Sequence, residues 1–156
     1  MALAITTETP LQDDIRRLVS ELNAYMIPLT PREFQFQLTV EQMAEPGVTL
    51  FVARDGTGRA VGMGALKEHE ATLGEVKRMY TLPEIRGQRA GAQLLARIEE
   101  LARERGIKTL KLETGEAPGF EPAWRLYERG GYRQCGAFLD YPDSGYSRFY
   151  EKKLTQ

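Results

Sequence analysis

Apolar and polar positions along this chain follow two alternating rhythms. Ile15, Leu18, Val19 and Leu22 recur three and four residues apart, which places them on one face of a helix opened by Pro10 and ended by "AYMIPLTP". The preceding "ALAIT" reads as a first strand, and Thr39 stands where it can cap a short helix running through Met43. Next come "VTLFVAR", the turn "DGTG" and "AVGMGAL", the clearest hairpin in the sequence, and "LGEVKRMYT" continues as a further antiparallel strand. Leu94, Leu95, Ile98, Leu101 and Ala102 form a second helical stripe that Gly106 stops, and "IKTLKLET" supplies the next strand. Pro122 suits the first turn of a last helix, in which Ala123, Leu126 and Tyr127 share a face before Gly130 and Gly131 break it. "YRQCGAFL" and "SRFYEKKL" close the chain as strands. The order β-α-α-β-β-β-α-β-α-β-β predicts an α+β fold: a mixed, mostly antiparallel sheet of about seven strands with four helices. No repeat, low-complexity segment or long linker divides it, so residues 1–156 are expected to form a single domain.

Composition narrows the function classes. A formal net charge of −1, with the signs mixed along the chain, gives no pull toward nucleic acid. No apolar run approaches the roughly 20 residues of a membrane helix, and "MALAITTETP" lacks the layout of a signal peptide, so a cytoplasmic protein is expected. With one cysteine, Cys135, and one histidine, His69, a catalytic metal is not expected. Cys135 reads as strand filler, and His69 in "KEHEA" as a solvated residue between two strands.

Chemistry concentrates at "TLPEIRGQRAGAQLL", where a strand becomes a helix. A helix N-terminus presents unpaired N–H groups and a positive dipole end, and here Gly87 and Gly91 allow close approach while Arg86 and Arg89 add charge. Phosphate is the natural guest. No Gly-Lys-Ser/Thr follows, which excludes a Walker A loop, and the glycine spacing is not that of a dinucleotide fingerprint.

This loop resembles the pyrophosphate loop of the GNAT superfamily of acyl-CoA-dependent N-acyltransferases, [Q/R]-x-x-G-x-[G/A], with Arg86 and Gly91 matching and Arg89 in place of the first glycine. "AWRLYERGGY" is similar to the A-x-x-x-Y-x-x-x-G-F segment of the same family, and Phe120 stands where an asparagine often contacts the pantetheine arm. "LETG", "FEPA" and "LYE" look like a group of small bacterial members. The resemblance implies a GNAT-like sheet and acetyl-CoA as cosubstrate. Arg86, Gly87, Gln88, Arg89, Ala90, Gly91 and Ala92 would meet its pyrophosphate. Main chain of Met79, Tyr80 and Thr81, with Phe120, Ala123 and Tyr127, would meet its arm.

For the chemistry the resemblance implies Tyr127 as proton donor to the sulfur; without it, Tyr127 reads as a buried-face aromatic. Glu75 lies eleven positions before Arg86, the offset of the glutamate base in some family members. Its competing reading is a surface pair with Lys77, on a strand face that also carries Met79. Glu113 and water remain rivals for the role. The acceptor, a primary amine of a small molecule or peptide, would be walled by 25–36 and 140–146, where Glu33, Asp140 and Asp143 are candidate attractors. An alternative is a non-catalytic acyl-CoA-binding or sensing module, favoured by Arg89 and Phe120; a phosphate-binding regulatory domain is a third reading. The final strand is expected at a sheet edge, protected by Lys152 and Lys153 or burying Phe149 and Tyr150 in a homodimer.

Overall fold

The computed structural model describes residues 3–70, 72–85 and 89–154. Its strands are β1 (Ala4–Thr7), β2 (Val48–Arg54), β3 (Ala60–Glu70), β4 (Leu73–Thr81), β5 (Thr109–Gly115), β6 (Arg133–Cys135) and β7 (Ser147–Lys153). The helices are α1 (Asp13–Met26), α2 (Val40–Met43), α3 (Ala90–Glu104) and α4 (Glu121–Arg129), with short 3-10 turns at Ile27–Leu29, Arg32–Phe34, Pro83–Ile85 and Pro118–Phe120. Among the described residues no helix is long and apolar enough to cross a membrane.

Local chemistry explains most boundaries. Asp13 and Asp14 occupy the first turn of α1, where their charge complements the helix dipole. Thr39 closes a capping box on α2: its hydroxyl accepts from the Gln42 N–H at 3.1 Å, while its own N–H donates to Gln42 Oε1 at 2.9 Å. Leu94, Leu95, Ile98 and Ala102 of α3 are buried, as are Ile15, Leu18, Val19 and Leu22 of α1. Each such leucine, isoleucine or valine side chain contributes about 1.5–3 kcal/mol when it leaves water.

The sheet runs β1-β2-β3-β4-β5-β7-β6, antiparallel except between β4 and β5. A β-carbon on Gly64 would strike Met79 and Ile98, so α3 lies against that face of the sheet. α1 covers the opposite face, where its Asn23 meets Arg78 of β4.

Two expectations fail. β7 is not an edge strand: all seven of its residues pair with β5, and β6 covers its other side. Phe149 and Tyr150 are buried within the chain, so the edge on which the homodimer expectation rested does not exist. The last two strands are also unequal, because β6 stops at Cys135 and the chain folds back over β7. There Phe138 packs edge-on against Phe149 at 5.7 Å, and Leu139 adopts a positive φ of 51°. Aromatic packing on the β7 face replaces the ladder that the alternating pattern predicted.

Candidate active site

β4 and β5 are paired only at Leu73 with Thr109, Gly74 with Leu110 and Glu75 with Lys111. Beyond these positions β4 continues to Thr81 and β5 to Gly115 without meeting, so the middle of the sheet opens. A bulge in β4 helps: Ala65 faces Lys77 but Met63 faces Tyr80, so three steps on β4 oppose two on β3. The irregularity contains Arg78, whose φ is 56°, in the left-handed region that β-carbons disfavour. One consequence corrects the sequence reading of this strand. Glu75 and Lys77 share a face, as alternation requires, but Met79 does not join them. It turns to the α3 side, against Gly64, and Tyr80 takes the place on the Glu75 face.

Glu75 is 2 % exposed, and three groups hold its carboxylate. His69 Nε2 lies 2.7 Å from Oε1, the Tyr141 hydroxyl donates to Oε2, and Lys77 Nζ approaches Oε2 to 3.4 Å. Lys77 also donates to the Tyr141 hydroxyl at 2.7 Å and to the Phe36 carbonyl at 3.4 Å. The Tyr141 ring is packed edge-on to Phe36 at 5.1 Å and to Phe138 at 5.2 Å. Burial first, and then the Glu75 charge, push its phenol well above the ordinary range. Segments 25–36 and 140–146, expected to wall an acceptor site, therefore meet over Glu75. The Glu75–Lys77 pair exists, but it is buried rather than superficial. His69 is not a solvated turn residue; it lies in β3 and pairs with Glu75, a partnership that no local pattern in "KEHEA" signalled.

Glu113 lies on β5 two residues past Lys111, the register partner of Glu75, and so on the same face of the sheet. The Ser147 hydroxyl donates to it at 2.6 Å. Burial raises its carboxyl above the usual range; the Glu75 charge adds to the rise, while Ser147 and Lys77 oppose it. Tyr127 of α4 approaches from the other face, the one that α3 covers. It is buried, with ring centroids 5.9 Å from Tyr132 and 6.0 Å from Tyr150. Burial, and then the Glu113 charge, raise its phenol. Carboxylates from one face and a tyrosine from the other thus flank the opening.

Of the residues expected to meet pyrophosphate, Arg86, Gly87 and Gln88 lie outside the described residues. Arg89 takes φ 62° and ψ 25° at the start of α3, and no side-chain hydrogen bond caps the helix. An arginine therefore holds the left-handed conformation that glycine would adopt more cheaply, by roughly 1–2 kcal/mol. Ala90 is buried and Ala92 is half-buried in the first turn. Gly91 also faces α4, and a β-carbon there would lie 3.2 Å from Leu126 Cδ2. Phe120 is buried against Gly115 at the end of β5, where a β-carbon would collide with its ring. Ala123 packs on the core edge, and neighbouring Trp124 donates from Nε1 to the Gly115 carbonyl at 2.9 Å. Among the described residues no cluster of three metal-ligating side chains is found.

Residues 15–132 match the sequence pattern of the acetyltransferase (GNAT) family, and the chain belongs to that family, whose members use acetyl-CoA. It is 39% identical over 153 residues to an IAA acetyltransferase of Azospirillum brasilense, covering 97% of this chain and 98% of that one. It is 38% identical over 147 residues to the uncharacterized N-acetyltransferase YsnE of Bacillus subtilis, covering 91% and 97%. A crystal structure from Klebsiella pneumoniae, assigned as an acyl-CoA N-acyltransferase, superposes with a TM-score of 0.82 at 36% identity, covering 98% of both chains.

Proposed function

We propose that the chain transfers an acetyl group from acetyl-CoA directly to a primary amine of a small molecule or peptide, both substrates being bound at once across the opening between β4 and β5. The observation that carries this reading is the opening itself. Strands parallel over three residue pairs diverge, with Glu75 and Glu113 on one face and Tyr127 on the other.

The residues present fit acetyl-CoA. From Val76 onward β4 has no ladder partner on its β5 side among the described residues, leaving main chain of Met79, Tyr80 and Thr81 to pair with an extended arm. The uncapped start of α3 suits a pyrophosphate, with Arg89, Ala90, Gly91 and Ala92 there and Arg86, Gly87 and Gln88 before it. Phe120 and Ala123 back the arm beside Tyr127. Acetyl-CoA, when bound, supplies an acetyl thioester whose sulfur leaves as a thiolate.

A main-chain N–H near Tyr80 steadies charge on the acyl oxygen. Glu75 accepts the amine proton, directly or through the Tyr141 hydroxyl that donates to it. Tyr127 donates to the departing sulfur. Burial keeps that phenol protonated at neutral pH, so the proton is present on it when the thiolate forms. Arg89, which in sequence favoured a non-catalytic module, adopts a left-handed backbone at the uncapped start of α3.

A coenzyme A release assay across an amine panel, run beside an acetyl-CoA binding titration, tests the reading. Release with at least one amine class is expected. Tight acetyl-CoA binding without release for any amine would instead support a binding module.

A further inference from the structure

Arg78 sits beside this site and has no role in the mechanism above. It is 7 % exposed, and among the described residues no carboxylate pairs with it. Its NH2 group donates to Asn23 Oδ1 of α1, while its Nε is buried without any hydrogen-bond partner. Burial draws the guanidinium pKa down to about 10, so the site as it stands disfavours the charge it holds. The β4 bulge places this residue at a positive φ, so strain is accepted to put it there. An uncompensated buried arginine with an orphaned donor, held by a strained backbone, is destabilising unless an anion arrives.

Its location specifies where the anion belongs. Arg78 follows Lys77 on β4 and reaches the α1 side, beneath the segment that runs from Asn23 across the opening. That segment is tied down at Gly119, whose carbonyl accepts from the Tyr25 hydroxyl, and at Phe36, whose carbonyl accepts from Lys77. Lys77 is already committed to Glu75 and Tyr141, whereas Arg78 keeps a buried Nε with no hydrogen-bond partner.

We propose that Arg78 receives an oxyanion carried by the acceptor, so that the acceptor is an amine bearing a carboxylate or phosphonate, held by that group while its amine faces Glu75. The inference rests on the acetyl-transfer reading and names the acceptor class for that same site. A planar guanidinium matches a carboxylate fork, and a charge-assisted bond formed in a desolvated pocket is strong.

The test compares matched acceptors: amino acids with their amides and with the corresponding decarboxylated amines, and aminoalkylphosphonates with plain alkylamines. Wild-type kcat/KM should favour the anionic partner of at least one matched pair. Arg78→Met should lower kcat/KM for that anionic acceptor at least about 30-fold more than for its neutral counterpart. It should also leave thermal stability equal or raised, because it removes an unpaired buried charge. The carboxylate and phosphonate arms show which oxyanion is read. Neutral amines used as well as the anionic ones would overturn the inference while leaving acetyl transfer intact. Should no amine of either class release coenzyme A, the transfer reading fails. Thermal-shift titrations with phenylacetate and phenylphosphonate, at fixed ionic strength, then decide the arginine's role by themselves. Stabilisation of the wild type but not of Arg78→Met supports an anion site, and equal responses reject it.

Discussion

Replacing Glu75 by glutamine removes a charge and little else, and its effects on stability and on rate separate cleanly. The amide keeps the side-chain shape and can still accept the Tyr141 hydroxyl. Lys77, however, loses the carboxylate 3.4 Å away in a place where its side chain is 10% exposed and that of Glu75 3%. Removing one partner of a buried pair strands the other, at a cost of about 3–5 kcal/mol. The lower end applies, because Lys77 retains the Tyr141 hydroxyl and the Phe36 carbonyl. A loss of about 3 kcal/mol in a chain of this size lowers Tm by roughly 6–12 °C, measurable by calorimetry. Turnover, measured well below the variant's Tm, should fall by about 10²- to 10⁴-fold if Glu75 takes the amine proton, and the acidic limb of kcat/KM should vanish or shift. The double variant with Lys77→Met divides the two effects: removing the stranded cation should recover most of the stability and none of the rate. If Glu75→Gln retains nearly wild-type turnover with an unchanged acidic limb, Glu75 is a structural anchor, and Glu113 becomes the residue to replace. If the double variant regains activity along with stability, the base assignment is equally wrong.

Tyr127→Phe should lower kcat by about 10²- to 10⁴-fold with little change in acetyl-CoA affinity by titration, since the hydroxyl acts on the leaving sulfur; a full-rate variant rejects the acid role. Gly91→Val should destabilise by about 1–3 kcal/mol because its β-carbon meets Leu126, and adding Leu126→Ala should restore Tm. If that double variant binds acetyl-CoA as tightly as wild type, Gly91 serves helix packing and not approach of the pyrophosphate. Glu8, which receives two hydrogen bonds from Arg54 at 2.7 and 3.0 Å, has its carboxyl lowered to about 2, so its contribution is present above about 4.5 and is lost as pH falls toward 2. Glu8→Gln should remove up to about 3 kcal/mol at neutral pH and flatten acid unfolding over that window; an identical acid transition contradicts the pairing.

Element order and type were legible along the chain, because helices and strands differ in the period at which they present side chains, and caps and turns mark their ends. The α1 and α3 stripes, the Thr39 cap, the β2–β3 hairpin and the opening of α4 at Pro122 all follow from residues a few positions apart. The start of α3 was equally local, since the onset of an apolar helical stripe is carried by residues a turn apart. What only the tertiary structure decided are the pairings between distant segments. The position of β7 inside the sheet follows from β5 ending beside it, and no residue of "SRFYEKKL" encodes a neighbour. The bulge at Arg78 shifted Met79 to the other face, because register depends on a partner strand and alternation does not. Glu75 was legible as a candidate, and so was its pairing with Lys77, but not the burial of that pair nor its enclosure by His69 and Tyr141. The rest of that carboxylate's environment comes from groups 6 and 66 residues away, which only the folded chain brings within hydrogen-bonding distance.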